Sequence, residues 1–268
     1  MPPFHILVIA LVQGITEFLP ISSSGHLILV PSLTGWPDQG LTIDVAAHVG
    51  TLAAVLAYFW RDVGRMIAGL ARLLAGRFDE GARLAVHILI ATLPAIVVGG
   101  LVQRFLGESF RSIHLVAWTM IGFAIVLYAA DRLGATFRRI EHMNMSQAVI
   151  IGIAQTLAFV PGTSRSGITM VAARLLGYER PDAARFSFLL SIPAIAAAGL
   201  LEGYGLLKSG DMQEFHDAAL TAALSAVAGF AAIAFMMRWL QSSNFTIFVV
   251  YRLLLGGLLL YLIYVRDF

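Results

Sequence analysis

The sequence has no cysteine and few charged residues. Without cysteine, the chain can form no disulfide and no thiolate metal site. Asp, Glu, Lys and Arg make up only 13% of the 268 residues, about half of the share that is usual in soluble domains. Too little polar surface remains to cover a water-soluble fold of this length, so we expect a membrane protein.

Apolar residues dominate the chain, with a share of 59% and a mean hydropathy of +0.82. A helix of roughly 20 apolar residues crosses the hydrocarbon core of a bilayer. Six stretches meet this requirement: about Leu41–Trp60, Leu84–Val102, Ile113–Ala130, Ala183–Leu201, Ala218–Met237 and Phe245–Val265. The sequence therefore predicts an all-α polytopic membrane protein with six full spans.

Two further apolar stretches, about Phe4–Leu33 and Ser146–Leu176, are interrupted near their middles by Pro, Gly and Ser. Irregular backbone at membrane depth is tolerated only where protein or a wet cavity satisfies its polar groups. We therefore expect each stretch to be a re-entrant helix pair, which enters and leaves the membrane on the same side.

The two interrupted stretches resemble each other. A shift of 142 residues places Gln13 on Gln155, Ser22 on Ser164, Ser24 on Ser166 and Gly25 on Gly167. Each half then holds one re-entrant pair and three spans, and because three is odd the second half is inverted. The sequence predicts a single membrane domain over 1–268, built from inverted repeats over 1–130 and 146–268, with its site where the interrupted segments meet.

The placement of cationic residues supports this topology. With the N-terminus outside, twelve arginines fall in cytoplasmic segments, namely Arg61, Arg65, Arg72, Arg77, Arg83, Arg132, Arg138, Arg139, Arg174, Arg180, Arg185 and Arg238. The outer segments hold only four, namely Arg104, Arg111, Lys208 and Arg266. This asymmetry follows the positive-inside rule. The arginine-rich stretch from Arg61 to Arg83 is also typical of an amphipathic helix lying on anionic lipid.

Ionisable residues inside the apolar segments are few, and each is a functional hypothesis by default. Glu17 precedes the first interruption, and Gln13 shares its helix face. We expect Pro20 to end this helix and the serines 22–24 to begin the next, where free amide groups and the dipole favour an anion. A serine there, with the His26 imidazole near it, is a candidate nucleophile. The alternative is that the serines only cap a helix.

The second interruption, Pro161–Gly167, contains Arg165. Its glycines and serines allow close approach of the backbone, and the guanidinium fork matches phosphate oxygens. A buried arginine needs an anion, which is either a phosphate or the Glu17 carboxylate. The two alternatives are compatible, because a substrate could displace the carboxylate.

Three other sites in the spans carry polar groups. Asp44 and His48 are four residues apart, and such a pair either supports the site or holds a metal or a proton. Arg252 lies near the inner end of the last span, where we expect it to snorkel. His87 also lies near a span end and receives no role.

Together, Glu17–His26 and Pro161–Gly167 resemble the two signature segments of the bacterial undecaprenyl-diphosphate phosphatases, the family linked to bacitracin resistance. The resemblance extends over the whole chain in length, number of spans and placement of the motifs. It implies hydrolysis of undecaprenyl diphosphate to the monophosphate, which recycles the carrier lipid for peptidoglycan synthesis and confers bacitracin resistance. It also implies a multi-pass protein of the bacterial inner membrane, catalysis facing the periplasm, and a divalent cation, Mg²⁺ or Ca²⁺.

The resemblance assigns roles by matching position. It implies that Ser23 is the nucleophile, that His26 is the nearby imidazole and that Arg165 holds the phosphates. Glu17 matches the second of two glutamates, and Gln13 stands where the family often has Glu, so these two are the expected metal ligands. The other residues expected to bind substrate are Ser22, Ser24, Gly25, Thr163, Ser164, Ser166 and Gly167.

The expected partners are the polyprenyl diphosphate substrate and membrane lipid, with no nucleic acid, and a homodimer is left open. Direct attack by water, with Ser23 only positioning, remains an alternative to a covalent step. Type 2 phosphatidic-acid phosphatases share parts of the two motifs, but they need a histidine six residues after the arginine, where this chain has Val171. The rival from another class is a polyprenyl-phosphate lipid flippase or anion transporter, because inverted repeats with broken helices are a transporter architecture.

Overall fold

The structure is a computed structural model that describes residues 1–105 and 112–265. This part of the chain is helical and contains no strand. Its helices are α1 (Pro3–Thr16), α2 (Ser23–Thr34), α3 (Leu41–Tyr58), α4 (Trp60–Leu74), α5 (Glu80–Phe105), α6 (Ile113–Leu133), α7 (Met145–Gln155), α8 (Arg165–Leu175), α9 (Arg180–Ser209), α10 (Met212–Ser242) and α11 (Thr246–Val265). Arg111 and Arg266, which the charge count used, lie outside the described residues.

Six helices in the described ranges are long and apolar enough to cross a bilayer, namely α3, α5, α6, α9, α10 and α11. They confirm the six predicted spans. The ends of α9 and α10 extend well past the predicted apolar stretches, because polar residues continue the backbone hydrogen bonding beyond the apolar part of a helix. By contrast, α1, α2, α7 and α8 have 14, 12, 11 and 11 residues. At 1.5 Å per residue, each is shorter than the roughly 30 Å hydrocarbon core.

The first interruption begins earlier than the sequence indicated. We expected Pro20 to end the helix, but α1 ends at Thr16 and a turn leads to α2. A proline ring clashes with the carbonyl four residues before it, and the residue preceding proline disfavours helical geometry. The effect of Pro20 therefore reaches back one full turn, and Glu17 caps the helix instead of lying within it.

The two interruptions share one backbone geometry. Ser22 and Ser164 have φ angles of 72° and 76°, and in the described residues they alone combine a side chain with positive φ. Each is the N-cap of the next helix, with Oγ accepting from the amide of Gly25 (3.3 Å) or Gly167 (3.0 Å). A side-chain oxygen at this position satisfies an amide that the helix leaves free. The predicted start of a helix after each set of serines is confirmed.

Each short pair returns to the place where it began. The His5 ring at the start of α1 stacks on the Trp36 ring just beyond α2, with 3.7 Å between centroids. Before α7 and after α8, the Arg138 amide donates to the Gly177 carbonyl (3.0 Å), and the Glu179 amide donates to the Arg138 carbonyl (2.9 Å). Both pairs thus have their entrance beside their exit.

These two openings lie at opposite ends of the molecule. The Arg138 end carries a network of ion pairs in which Arg185 contacts Asp62 (2.6 Å) and Arg180 contacts Asp131 (2.6 Å). At the other end, the Met1 amino group pairs with the Asp217 carboxylate. Thr42 at the start of α3 donates to Glu202 near the end of α9 there (2.9 Å).

Close helix packing brings α1, α3 and α10 together. A Cβ on Gly50 of α3 would lie 2.1 Å from the Ala222 carbonyl of α10, and one on Gly14 of α1 would lie 2.5 Å from Ala228 Cβ. Small residues allow such close approach between membrane helices. This packing fixes α1, and therefore Glu17 at its end.

Candidate functional site

The two interrupted segments meet inside the bundle. Arg165 Nη2 donates to Glu17 Oε1 at 2.6 Å. Ser166 Oγ donates to the backbone carbonyls of Glu17 (3.0 Å) and Leu19 (3.3 Å). The ion pair and these backbone contacts hold the end of α1 against the start of α8.

Glu17 is the centre of this junction. Its carboxylate is buried, and Oε2 accepts from Ser23 Oγ at 2.6 Å and from Gln13 Nε2 at 2.9 Å. The Nε2 atom of His48 lies 3.6 Å from the same oxygen. One carboxylate therefore contacts the candidate nucleophile, the arginine and two further polar side chains.

A cavity of about 330 Å³ opens beside the carboxylate. Its polar wall consists of Glu17, Ser23, Ser24, His48, Gln155, Ser164 and Arg165. Its apolar wall consists of Val45, Ala95, Ala158, Phe159, Ala194, Ile195 and Ala198. A cavity with one charged wall and one apolar wall suits an anionic head group joined to a hydrocarbon chain.

The other expected substrate-binding residues lie behind this wall. Ser22, Gly25, Thr163, Ser166 and Gly167 do not line the cavity. Ser166 braces the first interruption, and the Ser22 hydroxyl caps α2. These residues hold the two turns in place, whereas Ser24 and Ser164 are open to the cavity.

His26 is directed away from Ser23. Its Nδ1 donates to the Ser22 carbonyl at 2.7 Å, and its Nε2 is 2.7 Å from the Tyr251 hydroxyl. A carbonyl only accepts, so Nδ1 carries the proton and the neutral ring accepts the Tyr251 hydroxyl at Nε2. In this arrangement the group that receives the Ser23 hydroxyl proton is Glu17, not the imidazole.

The Asp44–His48 pair is divided between two tasks. His48 Nδ1 donates to the Asp44 backbone carbonyl (2.7 Å), which orients the other ring nitrogen toward Glu17. The Asp44 carboxylate accepts from Gln39 Nε2 at 2.7 Å. The pair thus directs an imidazole at the site through a backbone contact.

The expectation that Arg252 snorkels is wrong, because its side chain is buried, with the residue only 1% exposed. The guanidinium donates to five backbone carbonyls at 2.7–3.3 Å. These are the carbonyls of Pro20, Thr119, Met120, Gly162 and Thr163. The interruptions leave these carbonyls without helical partners, and an arginine fork satisfies several of them at once. Arg252 therefore ties both turns to α6.

The residues could contribute ligands to a divalent cation. Gln13 Oε1 is buried and has no hydrogen-bond partner in the described residues, and the Glu17 carboxylate lies beside it. Carboxylate and amide oxygens are ligands of Mg²⁺ and Ca²⁺. No group of three or more His, Asp or Glu side chains in residues 1–105 and 112–265 could hold a metal by itself. The donor set fits a cation that shares its coordination with substrate phosphates.

Comparison with known proteins gives consistent matches over the full chain. The family described as bacitracin resistance protein BacA matches residues 6–258. A protein from Roseobacter denitrificans named undecaprenyl-diphosphatase is 51% identical over 263 residues, covering 97% of this chain and 98% of that protein. Proteins with the same name from Ruegeria pomeroyi and Jannaschia sp. are 50% and 51% identical over 266 residues, covering 98% of this chain and all of each relative.

Proposed function

The chain belongs to the bacitracin resistance protein family, and from this membership we infer that it is an integral membrane phosphatase acting on undecaprenyl diphosphate. The products are undecaprenyl phosphate and inorganic phosphate. The reaction returns the carrier lipid to peptidoglycan synthesis and confers resistance to bacitracin, as the sequence predicts. The proposal that follows assigns this chemistry to the junction of the two interrupted segments.

The observation that carries this assignment is the convergence of Glu17, Ser23 and Arg165 at the polar wall of one cavity. The Arg165 guanidinium binds phosphate oxygens through its fork, for which they compete with the Glu17 carboxylate. The amide groups at the start of α2 and α8 add further donors for an anion. The apolar wall receives the first part of the lipid chain.

Ser23 is the proposed nucleophile and Glu17 its base. The Ser23 hydroxyl attacks the terminal phosphorus as its proton passes to the Glu17 carboxylate 2.6 Å away. The bond between the terminal phosphorus and the bridging oxygen breaks, and undecaprenyl phosphate leaves. Water then attacks the phosphoserine, which releases phosphate and restores the hydroxyl. His26 is proposed to orient the Ser22 turn through its hydrogen bond to that backbone, because both ring nitrogens are engaged elsewhere.

Direct attack by water is the alternative to this covalent route. In that version Glu17 accepts the proton of a water molecule, and Ser23 only orients the terminal phosphate. Phosphoryl transfer depends mainly on positioning and on neutralising charge. The same residues can serve both routes, and a search for phosphoserine distinguishes them.

A divalent cation is the proposed cofactor, with Glu17 and Gln13 as its protein ligands. The free Gln13 Oε1 atom supports this assignment. A bound Mg²⁺ or Ca²⁺ would neutralise part of the diphosphate charge. The residues themselves orient the carboxylate, because Gln13 Nε2 holds one of its oxygens.

We also propose that the two short helix pairs are re-entrant and that the two halves, over 1–130 and 146–268, are inverted repeats within one membrane domain. The shared serine geometry, the short helices and the openings at opposite ends support this. The arginine-rich network then lies at the cytoplasmic side of the inner membrane. The cavity is proposed to open toward the periplasm through the first pair.

The surroundings of the chain follow from this orientation. The helix α4 carries exposed Trp60 and Leu74 together with arginines, which suits the surface of an anionic cytoplasmic leaflet. Glu17, Ser23 and Arg165 all come from one chain, so the proposed catalytic unit is a monomer and the homodimer is not required for chemistry.

Phosphate release in detergent separates the phosphatase from a flippase or transporter. Purified protein is given undecaprenyl diphosphate in micelles, where no second leaflet exists. Release of inorganic phosphate with turnover supports hydrolysis. Movement of the lipid between leaflets of proteoliposomes without phosphate release in either system would favour the transporter.

A further inference from the structure

Gln155 is a buried amide without partners. It is the last residue of α7 and is 2% exposed. Neither its Nε2 nor its Oε1 has a hydrogen-bond partner in the described residues. Leaving a buried polar group unpaired destabilises a fold, and the great majority of such groups are satisfied. A side chain in this condition calls for a ligand.

The amide lies at the cavity that holds the charged groups. Gln155 lines the cavity together with Glu17, Ser23 and Arg165. Its counterpart under the 142-residue shift is Gln13, whose Nε2 is already bound to the Glu17 carboxylate. The second glutamine has no carboxylate to bind and faces the space in which the head group is proposed to lie.

We propose that Gln155 is a further substrate-binding residue, whose Nε2 donates a hydrogen bond to the lipid diphosphate. The inference rests on the proposed function and deepens it. An ionised diphosphate offers acceptors only, so the donor atom of the amide contacts it and Oε1 accepts from water. The neutral amide adds a donor beside Arg165 without a carboxylate that would repel the phosphates or compete for the guanidinium.

The structure gives a matched control in Gln147, at the other end of the same helix. Its Oε1 accepts from the Asn144 amide (3.1 Å) and from the Tyr178 hydroxyl (2.6 Å). Burial raises the pKa of Tyr178 to about 12, so this phenol remains a donor at physiological pH. Gln147 is thus a buried glutamine with a structural role and no contact with the cavity.

The test compares Gln155→Leu, Gln155→Glu and Gln147→Leu with wild type. The measured quantities are the KM for undecaprenyl diphosphate, the Kd of a non-hydrolysable polyprenyl methylenediphosphonate and the midpoint of thermal unfolding. A hydrogen bond to a charged group predicts that Gln155→Leu weakens Kd about ten- to a hundredfold. Its midpoint stays equal to or above that of wild type, because an unpaired buried amide has been removed. Gln155→Glu weakens Kd further through repulsion, and Gln147→Leu lowers the midpoint without changing Kd.

A Kd for Gln155→Leu within twofold of the wild-type value would overturn the proposal, whatever the midpoint. Failure of the underlying function gives a different result. In that case wild type itself releases no phosphate from the lipid, whereas failure of the Gln155 assignment alone leaves wild-type hydrolysis intact.

Discussion

Arg165 Nη2 and Glu17 Oε1 lie 2.6 Å apart although the two residues are separated by 148 positions in the chain. Both side chains are largely buried, at 17% and 5% side-chain exposure. Removing one member of such a pair leaves an uncompensated charge, which is strongly destabilising. A phosphate that binds Arg165 can replace the carboxylate as its anion, which frees Glu17 to accept a proton from Ser23.

Glu17→Gln is expected to abolish most of the activity. The amide keeps the shape of the side chain but cannot take the Ser23 proton, so kcat should fall by about 10²–10⁴-fold. The measurement is phosphate release by purified protein. Glu202→Gln is the control, because Glu202 contacts Thr42 away from the cavity. A Glu17→Gln enzyme within threefold of wild type would remove the carboxylate from the mechanism.

Ser23→Ala tests the nucleophile. Loss of the attacking oxygen should lower kcat at least about a hundredfold, since members of a catalytic unit are individually essential. Ser32→Ala is the control in the same helix, where the hydroxyl only contacts the Ile28 carbonyl. Acid quenching of wild type during turnover of lipid labelled in the terminal phosphate should give phosphoserine at position 23. Full turnover without that label would favour direct attack by water.

Arg252→Lys is expected to damage both stability and activity. Lysine has three donors for the five carbonyls that Arg252 satisfies, so at least two stay unpaired. Each unpaired buried carbonyl costs about 1–3 kcal/mol. The unfolding midpoint and kcat should both fall, whereas exposed Arg238→Lys should change neither. An unchanged midpoint in Arg252→Lys would show that the five contacts do not hold the turns.

The absence of cysteine makes the proposed topology directly testable. Single cysteines at Pro2, Pro37 and Lys208 should react with an impermeant maleimide in intact spheroplasts. Cysteines at Arg77 and Thr136 should react only after permeabilisation. Protection of Pro37→Cys would mean that the first pair spans the membrane, and protection of Lys208→Cys would mean the same for the second pair.

Local sequence patterns were sufficient for the spans and for the starts of α2 and α8. Apolar length determines whether a helix can cross a bilayer, and the serines before Gly25 and Gly167 are N-cap residues. The meeting of Glu17 with Arg165 was also expected, because a buried arginine needs an anion.

Contacts between distant helices were the part that the sequence could not supply. Arg252 was misassigned because its distance from the end of the span suggested snorkelling, whereas its partners are carbonyls from α6 and from both turns. Tyr251 and His26 are 225 positions apart, and no local pattern joins them. For Gln155 a signal was present, since it aligns with Gln13, but its lack of partners is visible only in three dimensions.

The most direct test of the central claim is phosphate release from undecaprenyl diphosphate by purified wild type, Arg165→Ala and Ser23→Ala, each with and without EDTA. Chemistry at the junction of the two interrupted segments predicts release by wild type and its loss in both variants and on chelation. Release by both variants at the wild-type rate would contradict the account and move the reaction away from this junction.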